Sequence, residues 1–257
     1  MVTIDPRKLD VPLCFLRNVL YQSQSKGLVI DGRRIVDLET ISRELSKSNF
    51  QPSIVNVDLP NSAMVNEDQF FPLLYADISN AKESIIVYSG FFTPKRVAEI
   101  LPLLEKVMSK GVVVRFVIPS NDTNGSFGKK QPEDCERTVK AIRQRGISVD
   151  QRYGIHQKAV VIDADIAWSG SLNALSYGGK TLESMLTMRN KGVGLQMAES
   201  LSLKFTSKRN SIKDWAKPEN PTCPKCNKAT IFRKSRYGEY FTCEDNSCDG
   251  KVSPKRY

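Results

Sequence analysis

Histidine is nearly absent from this chain: His156 is the only copy in 257 residues. Imidazole is the side chain best suited to proton and phosphoryl chemistry near neutral pH, so a solitary copy is either used or hardly needed. No apolar run approaches the roughly 20 residues of a membrane span, so no membrane association is expected. The N-terminus MVTIDPRKLDVPLCF lacks the charged-then-apolar pattern of a secretory signal, and a cytoplasmic protein is expected. Internal repeats and low-complexity tracts are also missing. Acidic residues are in short supply, with 28 Asp+Glu against 38 Lys+Arg, a formal charge of +10. That balance points to a polyanionic partner, nucleic acid or anionic lipid. Ser211–Tyr257 holds ten of the basic and six of the acidic residues, so +4 sits in this short tail and +6 in the other 210 residues. The tail is expected to meet the polyanion.

The 40% hydrophobic content suits one sizeable core with a small appendage. From residue 61 the pattern is regular. EDQFFPLLYADISNAKES puts Phe70, Phe71, Leu74, Tyr75 and Ile78 on one helical face, and SIIVYSGFF reads as a buried strand. TPKRVAEILPLLEKVMSKG starts with a Thr93 cap and proline at the first helical position. VVVRFVIP is a β-branched run of the kind buried on both faces. SNDTNGSFGKKQPED reads as an exposed loop, CERTVKAIRQRG as a helix and ISVDQRY as a strand. KAVVID and WSGS form a hairpin, LESMLTM a further strand and GVGLQMAESLSLKFTSKRN a closing helix. The alternation predicts an α/β fold with a mixed sheet over 61–210. Residues 1–60 read as an extension or small lobe with a strand, a turn at Asp31-Gly32 and a helix; 211–221 read as a linker, and 222–257 as a separate module.

The lone histidine lies in HQKAVVIDADIAWSGSLN. His156 and Lys158 are two apart and leave one face of a strand, with Asp163, Ser171 and Asn173 following across a hairpin. An imidazole, an ammonium, a hydroxyl and an amide can surround one anion, and such donors stabilise charge that builds on phosphorus under attack. This arrangement, His-x-Lys, four residues, Asp163, six residues, Gly170-Ser171, resembles the signature of the phospholipase D superfamily, and GSLN is similar to the GSxN form of its single-motif nucleases. The resemblance covers about residues 61–210 and implies a layered α-β-α domain and a metal-independent phosphodiesterase. It implies that His156 attacks phosphorus to give a phosphohistidine that water releases. Lys158 and Asn173 would hold the phosphoryl oxygens with Ser171 as a helper, Asp163 would be mainly orienting, and Glu183 would support the histidine. The family's site uses two copies of the motif. With one histidine per chain, a homodimer sharing its site on a two-fold axis is implied.

Cys223 and Cys226, then Cys243 after sixteen residues and Cys248 after four more, have ribbon-like spacing. Four thiolates favour a tetrahedral zinc with no site left for water, hence a structural metal. Cys14 and Cys135 read as small apolar side chains. Between the knuckles, Phe232, Arg233, Lys234, Arg236, Tyr237 and Tyr240 interleave aromatics with basic groups, a composition suited to stacking on bases and pairing with phosphates. The segment resembles the zinc ribbons of type IA topoisomerases, which implies binding of single-stranded DNA. The combined expectation is a nuclease acting on nucleic acid, DNA first, in restriction, defence or processing, with a helicase or another defence or repair protein as a further partner. A lipid phosphodiesterase and an inactive DNA-binding adaptor are the alternatives.

Overall fold

The computed structural model describes residues 28–30, 33–35, 61–120, 132–176, 181–203 and 209–254. These residues fall in two compact units. In the first, the described residues are Asp68–Asp77 and a hairpin of β1 (Leu28–Ile30) and β2 (Arg33–Ile35), in which Ile30 pairs with Arg33. Phe70, Phe71, Leu74 and Tyr75 are all buried, as the helical spacing predicts. The N-terminal helix, the exposed loop after the second buried strand and the end of the closing helix lie largely outside the described residues.

The second unit is built on one sheet. Its elements are β3 (Ser62–Asn66), the ends of α1 (Glu67–Asn80), β4 (Ser84–Ser89), α2 (Pro94–Met108), β5 (Val113–Pro119), α3 (Pro132–Gln144) and β6 (Ser148–Arg152). There follow β7 (Lys158–Ile162), β8 (Ile166–Gly170), β9 (Ser184–Arg189), α4 (Val193–Ser200), α5 (Ile212–Trp215), β10 (Thr230–Ser235), β11 (Gly238–Cys243) and β12 (Lys251–Val252). The strand order is β12-β11-β10-β6-β5-β4-β7-β8-β9-β3, with β4, β5, β6 and β10 parallel and the rest antiparallel. Every residue of β4 is buried, which is why its sequence shows no polar alternation. Ile86 and Tyr88 pack in a cluster with Val161, Ala198, Ile212 and Trp215, so α4 and α5 cover that face. The alternate residues point to the other face, where α2 and α3 pack on β5, β6 and each other. This is an α-β-α layering. Helix α2 starts as expected: Thr93 Oγ1 accepts the Arg96 amide at 3.2 Å with Pro94 behind it.

The 211–221 stretch departs from the expected linker. It contains α5, and its tail is bound to the sheet by charge. Arg115 of β5 is fully buried; its Nε donates to Asp150 Oδ2 at 2.9 Å and its Nη1 to Glu219 Oε1 at 2.9 Å and to the Trp215 carbonyl at 2.8 Å. Arg152 Nη2 donates to the other Glu219 oxygen at 2.8 Å, where the Leu203 amide also donates at 2.9 Å. Asn220 Nδ2 then bridges the carbonyls of Gln151 at 3.0 Å and Thr230 at 2.8 Å, and β10 pairs in parallel with β6 at Ile231↔Gln151 and Phe232↔Arg152. The cysteine-bearing segment therefore continues the main sheet. Proline and polar composition read as a linker because the partners that order it lie about 70 to 100 residues away in sequence.

Burial opposes the charge on Glu219, yet Arg115 and Arg152 outweigh it and hold its carboxyl below the usual 4.5. Its contribution is complete above pH 4.5 and is lost as pH falls below that through the lowered folded value. Glu219→Ala leaves two buried guanidiniums without that partner and is expected to cost about 3–5 kcal/mol in urea denaturation at pH 7. Below pH 4 the difference from the parent should narrow.

Candidate functional site

The chain crosses one edge of the sheet repeatedly, and His156, Lys158, Gly170 and Ser171 meet there. Strand β7 runs antiparallel to β4, so its first residue Lys158 pairs with Ser89, the last of β4. On its other side Ala159 pairs with Ser169, and Gly170 then pairs with Met185 of β9. His156, just before β7, is exposed and Lys158 is half-buried. Lys158 Nζ lies 3.3 Å from His156 Nε2, 3.4 Å from Nδ1 and 3.1 Å from the His156 carbonyl. The two line a cleft of ≈ 680 Å³ together with Ser169, Gly170, Ser171 and Leu201.

Each supporting group has an identifiable anchor. Ser171 Oγ accepts the Ser184 amide at 3.1 Å, and the Ser171 amide donates to the Ser184 carbonyl at 3.0 Å. A Cβ on Gly170 would stand 2.2 Å from that same carbonyl, so the glycine is what lets β8 close on β9 behind the cleft. Glu183 sits beside this contact; Ser171 and Thr181 hydrogen-bond its carboxylate, lowering its pKa, with Lys158 adding to the effect. Desolvation lowers the Lys158 pKa and the Glu183 charge partly offsets it. Asn173 Oδ1 accepts the Phe91 amide at 3.1 Å, tying the residue to the loop after β4. With the oxygen engaged, Nδ2 is the end of the amide left to donate.

Asp163 is not part of this group. It ends β7, at the opposite edge from Lys158, in a left-handed conformation (φ 52°). Its carboxylate accepts the amides of Lys82 at 2.9 Å, Glu83 at 2.7 Å and Ser84 at 2.9 Å, capping the start of β4. Its role is to hold β7 in register with β4. Spacing alone could not separate it from the histidine, because a five-residue strand carries one end of a motif away from the other.

The four cysteines converge, all Sγ atoms lying within 4.8 Å of one another. A tetrahedral zinc with Zn–S near 2.3 Å requires edges of roughly 3.8 Å. Cys223 and Cys248 are 3.8 Å apart, Cys226 and Cys243 3.4 Å. A Cβ on Gly250 would lie 2.3 Å from Cys223 Sγ, so the residue leaves room for the thiolate. The donor set and its spacing fit zinc.

Of the expected nucleic-acid contacts, Phe232 is corrected. It is buried, 5.5 Å ring to ring from its cross-strand partner Phe241, in a small core with Leu203 and Val252. Alternation along a hairpin gives two faces, and the one that meets the protein is fixed by the docking of β10 on β6. Arg233 and Tyr240 pair across the hairpin on the other face; Arg236 and Tyr237 form the exposed turn, with Tyr237 84% exposed. Lys234 is exposed and pairs with Glu239 at 3.4 Å. The sequence reading passed over Tyr153, whose ring carries the Arg233 guanidinium at 5.9 Å.

The family described as cardiolipin synthase, PLD-like domain, matches residues 74–206. No curated protein matches the chain. Among solved structures, Nuc of Salmonella typhimurium, a phospholipase D family member, is 20% identical with a TM-score of 0.42, covering 54% of this chain and 90% of that one. NucT of Helicobacter pylori is 17% identical with a TM-score of 0.41, covering 54% and 91%. A phosphatidylserine synthase of Haemophilus influenzae is 12% identical with a TM-score of 0.40, covering 63% and 42%.

Purified protein is expected to carry about one zinc per chain by atomic emission. Gly250→Ala should lower that content and the melting temperature together, and Cys226→Ser should do the same.

Proposed function

The chain belongs to the PLD-like domain family of the phospholipase D superfamily, and from that premise we propose that it is a phosphodiesterase that cleaves nucleic acid through a phosphohistidine. The observation that carries the chemistry is the exposed imidazole of His156 with the Lys158 ammonium 3.3 Å from its Nε2, at an open cleft. The histidine nitrogen attacks phosphorus and the P–O bond to the leaving group breaks. Lys158 neutralises charge on the non-bridging oxygens, Asn173 Nδ2 and Ser171 assist, and Glu183 beside Ser171 and Lys158 orients the set. Water then attacks the phosphohistidine and frees the nitrogen.

The leaving oxygen needs a proton, and the chain holds no second histidine. His156 of a second copy supplies it in a homodimer, and the same group then deprotonates the attacking water. No residue of this scheme needs a metal; zinc on the four cysteines serves the fold. The choice of nucleic acid over lipid rests on the +10 charge and on the exposed Arg236-Tyr237 turn. Nucleic-acid processing or defence, beside a helicase or other partner, is the setting this activity suits.

A panel of end-labelled DNA and RNA substrates in EDTA, run beside phospholipid vesicles, tests the reading. Cleavage of an oligonucleotide is expected to persist in EDTA over short assays and to fall at least a thousandfold in His156→Ala, as for loss of a covalent nucleophile. Headgroup release without cleavage of any oligonucleotide would replace this reading by the lipid one. Sedimentation of the active enzyme is expected to give a dimer; an active monomer rules out the shared site.

A further inference from the structure

The ribbon's position raises a question that its composition does not: where its basic turn lies relative to the histidine. β10 is parallel to β6, and β6 is parallel to β5 and β4. All four strands therefore end at the same sheet edge. That edge carries Ser89, paired with Lys158, and hence the cleft. β10 also overshoots β6: pairing stops at Phe232↔Arg152, and Arg233–Ser235 run on by about 10 Å before the Arg236-Tyr237 turn. From β10 to β7 there are four strand spacings of about 4.8 Å, roughly 19 Å along the edge.

Tyr153 occupies the near end of that path. It follows β6 directly, donates its amide to the Phe232 carbonyl at 2.8 Å, and is 39% exposed three residues before His156. The Arg233 guanidinium lies over its ring at 5.9 Å, while Arg233 Nε donates to Thr242 Oγ1 at 3.0 Å. Tyr240, opposite Arg233, leaves the same face of the hairpin. The lysines of the knuckle are occupied, Lys225 by Asp249 at 2.6 Å and Lys228 by Asp245 at 2.5 Å. Arg233 and Arg236 have no carboxylate partner among the described residues, so their charge at the turn end of the hairpin is open to an anion.

We propose that Tyr153, with Arg233 and Tyr240, forms a stacking platform for single-stranded nucleic acid that runs along the sheet edge from the ribbon turn to His156. Tyr153 gives a base an exposed aromatic face between the ribbon turn and the cleft, and the guanidinium takes the adjoining phosphate. A duplex keeps its bases stacked on each other and offers only phosphates to such a platform, so Tyr153 favours unpaired strands. This rests on the nucleic-acid reading above.

The test measures binding by fluorescence anisotropy in the full-length His156→Ala background, which holds substrate without turnover. The probes are a single-stranded DNA, the matching RNA and the DNA duplex, in one salt concentration. Tyr153→Ala is expected to weaken single-strand affinity on the order of tenfold, as for loss of one stacked base, and duplex affinity by less than twofold. Tyr153→Phe and Tyr153→Trp should restore it, since an aromatic face and not the hydroxyl is what the platform needs. Unchanged single-strand binding in Tyr153→Ala, equal losses on both forms, or failure of Phe and Trp to rescue overturns the platform alone. A parent that binds no nucleic acid overturns the platform and the nuclease reading together. Preference for RNA over DNA among single strands assigns the substrate and leaves the platform standing.

Discussion

One buried guanidinium organises this molecule. Arg115 has no access to water, and a charge in that position is tolerable only when fixed carboxylates and carbonyls replace its hydration. Asp150 comes from the neighbouring strand, but Glu219 and the Trp215 carbonyl come from a segment a hundred residues on. Satisfying Arg115 thus draws 215–220 onto the sheet, and Asp150 in turn accepts the amide of Glu219 at 2.9 Å. Once Asn220 is held there and grips the Thr230 carbonyl, Ile231 and Phe232 have one edge to pair with, that of β6. A core charge sets the place of the ribbon.

The site obeys a different constraint, that of close approach at the sheet edge. His156 and Lys158 reach the cleft by lying at the start of a strand antiparallel to β4, while Ser171 reaches it, with Glu183 hydrogen-bonded behind, because Gly170 lets β8 and β9 converge. The far end of β7 is pinned by Asp163, which gives three backbone amides at the start of β4 a carboxylate acceptor. One motif therefore lines the cleft at one end and sets strand register at the other. The distance between them is the length of the strand.

Much of this was legible in the sequence where the determinant is local. The Thr93-Pro94 start of α2, the unbroken apolar runs of β4 and β5, the helical face from Phe70 to Tyr75 and the convergence of four cysteines depend on spacing alone. What escaped depends on partners distant in sequence. Phe232 and Arg233 are neighbours on one strand, and only the pairing of β10 with β6 decides that Phe232 goes inward with Phe241 while Arg233 goes outward over Tyr153. The 211–221 segment reads as a linker because proline and polar residues are what a linker contains, and nothing local announces that Glu219 neutralises a buried arginine. Asp163 reads as mainly orienting, but what it orients was not legible, because the three amides it accepts lie about 80 residues upstream.

The ribbon's own energetics show why it is built into the sheet. Its core is Phe232 and Phe241 with Val252, and it borrows Leu203 from the main unit, an apolar contact too small to fold a module of this length unaided. A zinc on the four thiolates would contribute its binding affinity, which for such domains is folding free energy. The parallel pairing with β6 and the contact of Arg143 on α3 with Glu244 contribute the rest. A ribbon on a flexible tether would raise only the effective concentration of a bound strand near the cleft, diluted over the volume the tether explores. A ribbon whose strand is hydrogen-bonded into the sheet that carries His156 fixes both the distance and the direction from its basic turn to that residue. The same carboxylate that neutralises Arg115 therefore also sets where a captured strand would enter the site.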